Sequence, residues 1–100
     1  MCMSLKEKRV LFDSYNNFFE NYSKRYCKAV SEFKAYKDKE TYRQCFSFCK
    51  ICNYELHGIV LFLKDIGVFT WKESEEELKK IDVEFCLCDL INLYFCKEEV

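Results

Sequence analysis

The chain has no proline and only two glycines, Gly58 and Gly67. These residues most often break helices and close tight turns. Their scarcity permits long helices and argues against a turn-rich all-β fold or a disordered chain. The only histidine is His57, on a polar helical strip with Arg43, Lys50 and Lys64 that supplies it no acidic partner. No uncharged run approaches the roughly 18 residues needed to cross a bilayer. The first residues, Met1-Cys2-Met3-Ser4-Leu5-Lys6-Glu7, place charges where a secretory signal needs an apolar centre. A cytoplasmic protein without a membrane segment is expected. Also missing are a Gly-rich phosphate loop, a catalytic triad, paired catalytic carboxylates and zinc-finger spacing. No catalytic residue and no cofactor is assigned, and an enzyme is not expected.

What is present suits one helical domain spanning residues 1–100. Half of the residues are hydrophobic and 18% are aromatic, which is enough for a single modest core. The abundance of Lys, Asn, Tyr, Phe and Ile fits an AT-rich coding genome, such as that of a low-GC bacterium or its phage. Net charge is −1, but residues 1–50 carry eleven Lys/Arg against six Asp/Glu, whereas residues 51–100 carry five against eleven. A basic half can therefore meet an acidic half, within the fold or between subunits.

The stretch Tyr42–Ile66 organises the rest. At helical spacing Tyr42, Cys45, Cys49, Cys52, Leu56, Ile59, Leu63 and Ile66 form one seam, and Phe46, Phe48, Ile51, Val60, Leu61 and Phe62 cover most of what remains. A helix apolar nearly all round is central to its fold. Before it, Ser4-Leu5-Lys6-Glu7 has the form of a capping box and opens an amphipathic helix through Leu11, Tyr15, Phe18, Tyr22, Tyr26, Phe33 and Tyr36. Asn16-Asn17 marks a place for a kink or division. Asp38 is a candidate N-cap for the central helix, and Gly67 suits a left-handed position just past its end. Two overlapping capping boxes, at Thr70 and Ser74, open a third helix. The expected fold is all-α: a compact antiparallel three-helix bundle with helices near 4–37, 40–66 and 73–97. Because one amphipathic partner cannot cover two helices that are apolar all round, the bundle is expected to be completed by homo-oligomerisation through Phe85–Cys96. Asp89 and Asn92 are either a buried polar pair fixing register at that interface or the solvent edge of the helix.

Cys45, Cys49 and Cys52 have the spacing C-x-x-x-C-x-x-C. It resembles the cluster-binding signature of radical S-adenosylmethionine enzymes, but there the motif lies in a loop and here it lies mid-helix, so the resemblance is set aside. Eight cysteines in a chain with so few turn residues read as reduced thiols packed like small hydrophobes. With Cys86, Cys88 or Cys96 they could instead ligate Cu(I) or Zn(II), which is kept as an alternative. The most suggestive surface interleaves cations with aromatics. Tyr22, Lys24, Arg25, Tyr26, Lys28 and Arg43 are the candidate ligand-binding residues for an anionic ligand with a flat base, a nucleotide or a single-stranded nucleic acid. The overall charge argues against duplex DNA.

In size and helicity the chain resembles bacteriocin immunity proteins and the helical anti-defence proteins of phages. That resemblance implies inhibition by binding, with either a host protein blocked or a small nucleotide sequestered in the host cytoplasm. A nucleic-acid-binding regulator is the other class kept in view.

Overall fold

A computed structural model describes residues 3–95, and over these the protein is all-α. The chain forms α1, Leu5–Tyr36; α2, Lys39–Asp65; α3, Trp71–Glu84; and α4, Leu87–Phe95. The helix starts follow local chemistry. The Ser4 hydroxyl accepts from the Glu7 amide at 3.1 Å and the Glu7 carboxylate accepts from the Ser4 amide at 3.2 Å, a complete capping box. Asp38 caps α2 through the Thr41 amide at 3.0 Å. Of the two boxes before α3, Thr70 with Glu73 is the one that forms, while Ser74 is buried and donates to the Trp71 carbonyl. The capping bonds hold the Glu7 and Glu73 carboxyls below their ordinary pKa.

Helix α2 stops as its last residues predict. Gly67 is left-handed at φ 86°; its amide donates to the Lys64 carbonyl at 3.1 Å, and that of Val68 to the Leu63 carbonyl at 2.8 Å. Together these are a Schellman ending. Helix α1 runs unbroken through Asn16-Asn17. Tyr15 and Phe19, on either side of the two asparagines, are both buried and pin both halves of α1 to the same core.

Helix α2 is central, since α1, α3 and α4 all pack on it. The ring contacts Phe33–Tyr42, Tyr22–Phe48 and Phe12–Phe69 show that α1 runs antiparallel to it. The assembly is 54 Å long and 20 by 17 Å across. Its core sets small thiols against large rings: Cys45, Cys49, Cys52, Leu56, Val60 and Leu63 of α2 are buried, facing Tyr15, Phe19, Tyr26 and Phe33 of α1. Ile59, expected to be buried, is half-buried, and Val60 takes its place. A straight helix of 3.6 residues per turn drifts against a 3.5-residue repeat by about 20° per heptad, so the buried line shifts by one residue towards the C-terminal end.

The expected third helix is two helices. Helix α3 ends at Phe85, with φ −114° and ψ 62°, because the core takes its ring, which lies 5.7 Å from Phe19 and 5.5 Å from Tyr26. The carbonyl of Phe85 accepts from the Asn53 amide at 2.7 Å and from the Cys49 thiol at 3.3 Å. An α2 side chain thus replaces the helical bond that the break removes. Beyond the elbow α4 folds back on α2, so Leu90 is buried and Leu87, Ile91 and Tyr94 are half-buried. Packing on α2 thus covers part of the apolar surface expected at a subunit interface, and Phe95 stays exposed. Cys96 and the expected helix end near residue 97 lie outside the described residues.

Candidate functional site

The six residues expected to bind a ligand do not form one site. Tyr26 is buried, and burial pushes its hydroxyl pKa up. The Tyr22 hydroxyl donates to the Glu55 carboxylate, which raises its pKa. The Arg25 guanidinium lies 4.7 Å from the centre of the Phe48 ring, a cation–π contact within the bundle. Lys24 and Lys28 are exposed. Arg43 pairs with Glu40 at 3.8 Å and borders a different hollow, of about 280 Å³, with Lys39, Tyr42, Phe46 and Tyr94. The six are spread in this way because the aromatics fall on the inner side of α1, where packing and hydrogen bonds engage them, while Lys24 and Lys28 face outward.

The cysteines behave as core. Cys45, Cys49 and Cys52 are fully buried. Burial pushes the Cys45 thiol up to about 11 and the Cys52 thiol up to about 12, and raises that of Cys49. A thiol held neutral in this way is a poor metal ligand at neutral pH. Among the described residues no three His, Cys, Asp or Glu side chains come together as a metal-holding group. Six described cysteines are free thiols, with Cys27 and Cys88 exposed.

His57 has a partner that its sequence neighbours do not reveal. Its Nε2 lies 2.9 Å from Asp82 Oδ1, tying α2 to α3 at the surface. Asp89 and Asn92 are exposed on α4, the solvent-edge arrangement of the two considered.

The most distinctive surface is the solvent side of α2. Gln44, Ser47, Ile51, Tyr54, Gly58, Leu61 and Asp65 recur by alternating steps of three and four, and all are exposed. They form a second seam opposite the thiol seam. Its large side chains are strongly exposed: Tyr54 84%, Ile51 49%, Leu61 43% and, beside them, Phe62 57%. A groove of about 570 Å³ runs along it, lined by Lys50, Asn53, Tyr54, His57, Gly58, Leu61 and Leu87. Glu55 does not intrude, because its carboxylate turns to Tyr22. The signal for this seam was present in the sequence as a second three-and-four spacing, masked by the general apolarity of α2.

Comparison of the chain with protein-family models, with curated proteins and with solved structures finds no match. No helix of the described residues is long and apolar enough to cross a membrane.

Proposed function

We propose that the protein is a non-enzymatic helical binding protein that acts by sequestration or inhibition, engaging another protein through the exposed seam of α2. One observation carries this: Ile51, Tyr54, Leu61 and Phe62 stand in water along a helix that is fixed from behind by three others. Contiguous exposed apolar surface on a rigid element favours docking of a protein. Such an action fits the resemblance to immunity and anti-defence proteins, with a host protein in the cytoplasm as target. The test is affinity capture from host cells with wild type and with Tyr54→Glu or Leu61→Glu, each verified as helical by circular dichroism. A stoichiometric partner retained by wild type and lost from both variants is expected. Retention of the same partner by the variants contradicts the assignment.

A second reading has one specific observation behind it. Lys39 and Arg43 flank the hollow lined by Tyr42, Phe46 and Tyr94, a setting for a phosphate beside a flat base. It predicts that nucleotides raise the Tm of wild type and that Arg43→Glu abolishes the rise. No rise with wild type removes it.

A further inference from the structure

We infer that the exposed seam of α2 is a homodimer interface, in which the same seam of a second copy crosses it antiparallel with Gly58 at the two-fold axis. This rests on the seam being a docking surface and names what covers it in the free protein, which the protein partner displaces on binding.

Three observations support a second copy. The first concerns Gly58, since glycine is the least favourable residue other than proline in a helix interior. A Cβ built there meets nothing within 4 Å, so nothing among the described residues requires its absence. Close approach of another backbone is what a mid-helix glycine on a packing surface permits. The second is symmetry of side-chain type: in a two-fold antiparallel crossing, a residue before Gly58 meets the residue equally far after it on the partner. Tyr54 and Phe62, each four residues from Gly58, then become aromatic neighbours across the axis, and both are exposed. The third is charge. Lys50, beside the seam and eight residues before Gly58, comes within one helical position of Asp65, seven residues after it, and both are exposed. The surface thus carries a cation beside the seam at one end and an anion on it at the other, self-complementary when antiparallel and repulsive when parallel. Leu87, at the start of α4, lines the groove beside Gly58 and Leu61 and widens the apolar contact.

The experiment is sedimentation of the full chain across low to high micromolar concentration, with helicity checked by circular dichroism. Wild type should approach twice the 12.2 kDa chain mass. Lys50→Asp, which sets two acids against each other, should weaken association at least tenfold. Adding Asp65→Lys to it should restore association, because the pair is then reversed and not lost. Tyr54→Glu should leave a folded monomer. A wild type that stays monomeric throughout, or folded Lys50→Asp and Tyr54→Glu variants that associate like wild type, overturns the interface. Failure here is separable from failure of the binding function. A monomeric wild type whose captured partner is lost on Tyr54→Glu excludes the second copy and keeps the docking surface, whereas a dimer with no other partner keeps the interface and removes the inhibitor.

Discussion

The two sides of α2 obey one spacing rule and meet opposite fates. On one side Cys45, Cys49, Cys52, Leu56, Val60 and Leu63 are buried; on the other Ser47, Ile51, Tyr54, Gly58, Leu61 and Asp65 are in water. The buried side begins with the smaller residues. Three thiols in succession let α1 and the elbow approach closely, and the rings of Phe19, Tyr26, Phe33 and Phe85 fill the space. The exposed side mixes the large apolar Ile51, Tyr54 and Leu61 with Ser47, Gly58 and Asp65, and among the described residues nothing covers it. Apolarity alone therefore does not choose the inner face of a helix. The partners that the rest of the chain can supply take part in deciding it.

The strongest way to break the comparison is to cut into the buried side. Leu56→Ala should destabilise the protein by about 2 to 5 kcal/mol, the range for a buried large-to-small change, as measured by urea denaturation. An effect no larger than that of Ile51→Ala on the other side would mean that the faces are misassigned. Alkali should act on the same side. The Cys45 and Cys52 thiols ionise near 9.0 when free but at about 11 and about 12 in the fold. Their contribution is intact below pH 9 and is lost as pH rises towards those values, because the unfolded chain releases its protons first. Each thiol should remove about 1.4 kcal/mol per pH unit in that window. Chemical denaturation at pH 7, 9 and 10 checks this, and replacing both residues with alanine should reduce the slope to what Cys49 still contributes.

The elbow sharpens the comparison, since it is what turns α4 onto the buried side. Asn53→Leu removes the shorter of the two hydrogen bonds to the Phe85 carbonyl, leaving that of the Cys49 thiol, and should destabilise the fold by about 0.5 to 1.5 kcal/mol, the net worth of one hydrogen bond. Hydrogen exchange should show the loss concentrated in α4. The smallest effect is expected at Gly58→Ala, where the added methyl finds open space. Stability measured on the dilute chain should rise by up to about 1 kcal/mol from helix propensity, while self-association weakens because the methyl obstructs the crossing.

Features set by a few consecutive residues could be read from the sequence. The Ser4, Asp38 and Thr70 caps, the Gly67 ending and the thiol seam depend on spacing alone, and each is where the sequence places it. The break at Phe85 could not be read in this way. It depends on Asn53 and Cys49, more than thirty residues earlier in the chain, offering donors to one carbonyl. The Asp82 partner of His57 was hidden for the same reason. The placement of the basic-aromatic stretch could not be read either, because composition does not say which way a ring turns, and Tyr26 turns inward while Lys24 and Lys28 turn outward. The exposed seam could have been found from Ile51, Tyr54, Gly58 and Leu61, had they been separated from the seam behind them.

Thiol labelling tests the two-sided account of α2 most directly, because the chain carries its own probes. Under native, reducing-agent-free conditions a maleimide should modify Cys27 and Cys88 within the dead time of the experiment, as should a cysteine placed by Ser47→Cys on the exposed side. Cys45, Cys49 and Cys52 should be modified only as fast as the whole protein unfolds, with site-resolved mass spectrometry reporting each. Labelling of those three in the native state at the rate of Cys27 and Cys88 would contradict the assignment of the thiol seam to the core.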